Sequence, residues 1–237
     1  MKNYLSFGGG VNSVALYLLM QGLGIEFEAV FVDHGGDWPE TYEYVDYFIG
    51  TGRPVTILKP DVEGFSNIME YYMAKKKLPS IMKRDCTDKF KLRTFYRYAE
   101  KPCFVNMGID AGESHRARLS SKKRCENRYP LIEHGIDRDE CVALIQRHGL
   151  RVPDKSGCYF CMFQKPSQWR KLRREKPDLF CKAKQMEEFV IQWRFLEGKD
   201  PFFLCNNGKP LTQFINEKQV VLPGMEELEY PPCQCGL

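Results

Sequence analysis

The first sixty residues alternate between two hydrophobic periodicities, and this alternation restricts the chain to one fold class. Residues 2–6 ("KNYLS") form a strand candidate that runs straight into glycines, and 14–23 ("VALYLLMQGL") is an apolar, helix-compatible stretch stopped by Gly22 and Gly24. Residues 26–33 ("EFEAVFVD") carry the alternation and β-branched content of a buried strand that ends at Asp33. Pro39 opens a helix over 39–50 that closes at Gly50, and 54–59 ("PVTILK") is a third strand. The order strand, loop, helix, strand, helix, strand implies parallel strands joined by crossover helices. Further helices are predicted at 66–77 and 87–99, and a fourth strand at 103–109 ("CFVNMGI"). The expected fold class is α/β, an open, mostly parallel, Rossmann-like sheet with helices on both faces.

After about residue 125 the texture changes. A helix over 137–149 has Asp137 as N-cap and Gly149 as stop, and 156–164 ("SGCYFCMFQ") is a cysteine-bearing loop. Residues 167–196 read as two helices broken at Pro177, and the last stretch is loop-rich. The expected organisation is a first domain over 1–125 and a C-terminal helical and loop region with cysteines over 126–237.

With 43% hydrophobic and 28% charged residues and a net charge of +4, the chain has the composition of a soluble globular protein. No stretch approaches the ~20 apolar residues of a membrane span, and no signal peptide is evident, so a cytoplasmic protein with no membrane partner is expected. Ten cysteines in a chain of this size point to metal binding or chemistry rather than disulfides in a reducing compartment. Basic clusters at 75–77, 122–124 and 170–174, with Trp169 and Trp193 nearby, are compatible with a tRNA or DNA partner.

Three consecutive glycines in "SFGGGVNSVA" (6–15) are costly in backbone entropy. A glycine-rich turn between a first strand and a first helix presents N–H groups and the helix dipole to an anion. No lysine completes a Walker pattern, and Gly8, Gly10 and Ser13 do not make G-x-G-x-x-G. The segment resembles the pyrophosphate-binding loop (PP-loop) of the adenine nucleotide α-hydrolase superfamily, S-G-G-x-D-S. The resemblance implies that Ser6, Gly8, Gly9, Gly10 and Ser13 cup the β,γ-pyrophosphate of ATP. Asn12 stands where that pattern has aspartate, so Mg²⁺ would rest more on the phosphates or on another carboxylate such as Asp33. Asp33, at the end of the second strand, is also an expected adenosine contact.

On a helix beginning near Thr87, Lys89 and Arg93 are four apart and share a face. With Cys86-Thr87 they resemble the "C-T-x-x-x-K-x-R" element of the PAPS reductase-like branch. "GIDAGESHR" (108–116) resembles the same branch, which implies that Arg116 neutralises the α-phosphate and Glu113 orients it or binds metal. His115 is read as a surface residue. The run over 129–164 is similar to that branch and to the sulfurtransferases of DNA phosphorothioation, so the resemblance covers roughly residues 4–165 and the tail.

Cys158-x-x-Cys161 has metal-ligand spacing but is half a site. The resemblance implies a [4Fe–4S] cluster on Cys86, Cys158, Cys161 and Cys235, with Zn²⁺ as the alternative and Cys233 as a substitute ligand. The ending "CQCGL" also resembles the E-C-G-[IL]-H tail of sulfonucleotide reductases, which would make its cysteine a nucleophile. Cys103, Cys125, Cys141, Cys181 and Cys205 are expected to be packing residues.

The expected function is an ATP-using PP-loop enzyme that adenylates a substrate, for sulfur transfer or for modification of a nucleotide or nucleic acid. A sulfur-donor protein and a homo-oligomeric state go with that reading. The alternatives are an APS or PAPS reductase and a zinc-stabilised nucleic-acid-binding protein without catalysis.

Overall fold

The computed structural model of the chain describes residues 1–120, 122–154, 156–205 and 208–216. Five strands, β1 (Lys2–Ser6), β2 (Glu28–Val32), β3 (Thr56–Leu58), β4 (Cys103–Met107) and β5 (Cys125–Arg128), form one sheet in the order β3-β2-β1-β4-β5. Every pairing is parallel. The helices are α1 (Val11–Gly22), α2 (Pro39–Gly50), α3 (Ile68–Ala74), α4 (Arg93–Tyr98), α5 (Pro130–Glu133), α6 (Arg138–Arg147), α7 (Pro166–Glu175), α8 (Pro177–Leu196) and α9 (Leu211–Phe214). A π-helix over Thr87–Leu92 runs directly into α4, and a 3₁₀ helix spans Ala111–Arg116.

β1 is central and buried on both faces, so its consecutive residues serve different cores. Leu5 packs with Phe7, Val14, Leu16, Phe48 and Ile145 on one side, while Tyr4 packs with Val30, Phe95 and Val105 on the other. The fifth strand, "CENR", has no hydrophobic alternation and was not expected. As an edge strand it needs only backbone pairing, with Cys125 opposite Cys103. The 125/126 boundary therefore falls inside β5.

A third core joins the C-terminal helices to the segment after β3. Trp169, Leu172, Met186 and Leu211 pack against Tyr71, Tyr72, Phe90 and Phe160. Glu187, almost fully buried, accepts the N–H groups of Leu204 (2.8 Å) and Leu211 (2.7 Å), tying the chain after α8 back onto that helix. Burial pushes its carboxyl pKa up against the opposing pull of those two donors.

From β1 the chain winds outward through β2 and β3, then crosses back to β4 on the other side. That reversal opens a crevice at the carboxyl ends of β1 and β4, the place where ligands bind in open parallel sheets.

Candidate functional site

The crevice is a cleft of about 960 Å³, lined by the turn after β1, the residues just beyond β4, the π-helix and parts of the C-terminal region. Gly9 has φ of +69°, a left-handed conformation, and a side chain there would press on Val45 (3.1 Å) and Thr41 (3.2 Å). Gly10 is the N-cap of α1, and no side chain caps the first turn. The opening N–H groups of α1 are thus left for a ligand. Ser6, Gly8, Gly10, Asn12 and Ser13 line the cleft, with the Ser13 hydroxyl donating to the Gly10 carbonyl at 2.9 Å.

Asn12 joins three segments. Its amide Nδ2 donates to Asp110 Oδ2 at 2.8 Å, and its Oδ1 accepts from Arg138 Nη1 at 2.7 Å. A carboxylate on one side and a guanidinium on the other fix which end of the amide points where. Asp110 is buried, and its Oδ1 also accepts the Glu113 N–H at 3.1 Å. Arg138 is positioned by the capping box of α6, in which Asp137 and Glu140 exchange bonds of 2.9 and 3.0 Å, a device worth about 1 kcal/mol. The carboxylate beside the glycine turn is thus supplied by position 110, with Asn12 as its neutral partner. Asn12→Asp is expected to set two carboxylates against each other and raise the upper pKa of the pair. With the folded-state pKa above the unfolded value, the variant loses stability as pH rises through it and regains it on acidification. The loss is about 1.4 kcal/mol for each tenfold weakening of the pair's acidity. Denaturant melts across about pH 5 to 8, with and without Mg²⁺, check this. A variant as stable as the parent at every pH would contradict the contact.

Arg116 lines the cleft with its side chain only 10% exposed. Nη1 is paired with Glu113, while Nε is buried and has no hydrogen-bond partner among the described residues. Buried donors are normally satisfied, so this Nε is a donor left for a partner from the cleft. His115 is exposed.

Lys89 and Arg93 do not line the cleft. Lys89 bonds the Tyr71 hydroxyl and lies 3.6 Å from Glu63, and Arg93 is held by Asp88 at 2.6 and 2.8 Å. The cleft face is taken instead by Arg84, Thr87, Asp88 and Lys91. Lys89 and Arg93 share a face, both lying near Tyr71, but it is the face turned away from the cleft. Asp33 also lies outside the lining. It accepts the Gly35 N–H (3.0 Å) and pairs with Lys59 (3.0 Å); burial raises its carboxyl pKa, but those partners prevail and the net shift is downward.

The cysteine loop pairs with the segment after β2, through Trp38 N–H to the Gly157 carbonyl (3.0 Å) and Tyr159 N–H to the Gly36 carbonyl (3.0 Å). This seats Cys158 against two residues that sequence reasoning left out of the site, His34 and Asp37. His34 Nε2 is 3.8 Å from Cys158 Sγ and 3.5 Å from Asp37 Oδ2, and both His34 and Asp37 are buried. The only signal in the sequence was the i,i+3 spacing of His34 and Asp37. Burial raises the Cys158 thiol pKa well above its ordinary value. Lys91 sits in the same cluster, where burial pulls its ammonium down but the charges of Asp37, Cys158, Cys86 and Cys161 outweigh it and raise it. Cys86, Cys158 and Cys161 thus share the charged neighbourhood of Lys91, and of the three it is Cys158 whose Sγ groups with His34 and Asp37 within 4.8 Å; Cys233 and Cys235 lie outside the described residues.

Cys103, Cys125, Cys141 and Cys205 are buried packing residues, whereas Cys181 is exposed on α8. Trp169 is fully buried in the third core and offers no surface for stacking on a base. Trp193 is flanked by Lys76 and Lys199, at 5.5 and 4.8 Å from its ring. No helix among the described residues is long and apolar enough to cross a membrane.

No protein-family model matches the sequence, and no curated protein matches it. Among solved structures, the fold is similar to that of phosphoadenylyl-sulfate (PAPS) reductase from Candida auris, crystallised as a phosphate complex. The TM-score is 0.52 at 15% sequence identity, over 67% of this chain and 81% of that one. An all-parallel sheet in the order 3-2-1-4-5, opened by a glycine turn at its switch point, gives this chain a PAPS reductase-like fold.

Proposed function

We propose that the chain is a PP-loop ATP pyrophosphatase that adenylates its substrate, in the service of sulfur transfer or of nucleotide or nucleic-acid modification. The observation that carries this reading is the meeting of the uncapped start of α1 and the unpartnered Arg116 Nε in one cleft. A substrate oxygen attacks the α-phosphorus of ATP. The new P–O bond forms as the bond to the α,β-bridging oxygen breaks, and pyrophosphate leaves on the glycine turn. Backbone N–H groups of the 8–10 turn and the Arg116 guanidinium stabilise the charge that develops on the phosphates. Asp110 and Glu113, both in the cleft lining, would hold Mg²⁺, which when bound would neutralise phosphate charge.

The likeness to PAPS reductase favours a second reading, an APS or PAPS reductase that uses the same cleft with Cys235 as nucleophile. Product analysis separates the two. Formation of AMP and pyrophosphate from ATP, dependent on an added acceptor, supports the first. Release of sulfite from APS or PAPS in the presence of a dithiol replaces it with the second. Turnover of neither leaves a zinc-stabilised nucleic-acid-binding protein.

A further inference from the structure

Beside the cleft, three side chains from distant parts of the sequence bring metal-binding atoms together. His34, Asp37 and Cys158 each offer one ligand atom, all within 4.8 Å of one another. A tetrahedral zinc centre with ordinary bond lengths has ligand–ligand edges of about 3.6 Å for sulfur to nitrogen and about 3.3 Å for nitrogen to oxygen. The observed separations are 3.8 and 3.5 Å. We propose that His34, Asp37 and Cys158 hold a mononuclear Zn²⁺ ion that pins the cysteine loop to the segment after β2.

Cys158 releases its thiol proton to solvent as the metal–sulfur bond forms. His34 Nδ1 accepts the Gly36 N–H at 3.2 Å, so ligation through Nε2 requires the ring proton to move to Nδ1, where it would face the ring's own backbone carbonyl in place of that contact. The site does not depend on ATP chemistry in the cleft.

The test is metal analysis and X-ray absorption on anaerobically purified full-length protein. One zinc per chain in a mixed sulfur and nitrogen/oxygen shell is the expected result, and this needs no variant. His34→Gln and Asp37→Asn should each weaken Zn²⁺ binding by more than about 10-fold, the effect of losing even an outer-shell partner. Cys181→Ala should leave it unchanged. Iron with acid-labile sulfide, an all-sulfur shell, or failure of the chelator-treated wild type to take up Zn²⁺ would each overturn the proposal. Full zinc retention in a folded His34→Gln variant would do the same. ATP turnover assayed on the same samples fails or succeeds separately: zinc without pyrophosphate release counts against the adenylation reading alone.

Discussion

Gly108→Ala is expected to cut ATP turnover by about 100-fold and to cost about 1–3 kcal/mol of stability. Gly108 directly follows β4, and a Cβ there would lie 2.9 Å from both the Asn12 carbonyl carbon and the Ser13 nitrogen. Both are backbone atoms of the first turn of α1, so no rotamer change relieves the contact. The start of the helix has to move away from the sheet and carry the phosphate-binding turn with it. A displacement approaching 1 Å is enough for a loss of that size. Gly8→Ala is the informative partner, because a Cβ at Gly8 meets nothing within 4 Å although the residue lines the cleft. It should unfold like the wild type and lose activity only through ligand approach. Denaturant unfolding and AMP release, measured on both variants, distinguish a displaced turn from an obstructed one. A Gly108→Ala protein with wild-type turnover would show that the turn does not position the phosphates.

Arg116→Ala should lower kcat by about 10²–10³-fold, the usual effect of removing one preorganised donor from a charge that develops in the transition state. Glu113 already occupies Nη1, so the guanidinium is oriented before any ligand arrives, and Nε is the part left over. Arg116→Lys should recover only part of the rate, because an ammonium keeps the charge but lacks the planar fork. The diagnostic is a fall in kcat rather than a rise in KM alone. An Arg116→Ala enzyme with unchanged kcat would remove this residue from the chemistry and leave it a structural partner of Glu113.

The parts of this molecule that were legible in sequence are those whose physics is local. β1 to β4 could be read from alternation and turn residues, and the glycine turn from the cost of placing three glycines in a row. β5 could not, because a polar edge strand carries no periodic signal. Asn12, Asp110 and Arg138 are separated by 98 and 126 positions along the pairs they make, and Cys158 and His34 by 124. Nothing in any one segment reports such meetings. Trp169 illustrates a different limit. Set among arginines and lysines it suggested a nucleic-acid surface, yet α7 turns that one residue inward while its basic neighbours face out.

The π turn over Thr87–Leu92 makes chain length itself part of the site. An α-helix advances by about 100° per residue, so deleting a single residue from this turn would rotate the chain before it by that angle relative to α4. Cys86 enters the cysteine cluster from one end of the turn, Lys91 sits near the other, and α4 is already fastened to the sheet. The deletion could not keep all three in place. Among proteins built on this fold, a one-residue gap at this point would change the pocket's chemistry while leaving every strand and helix recognisable.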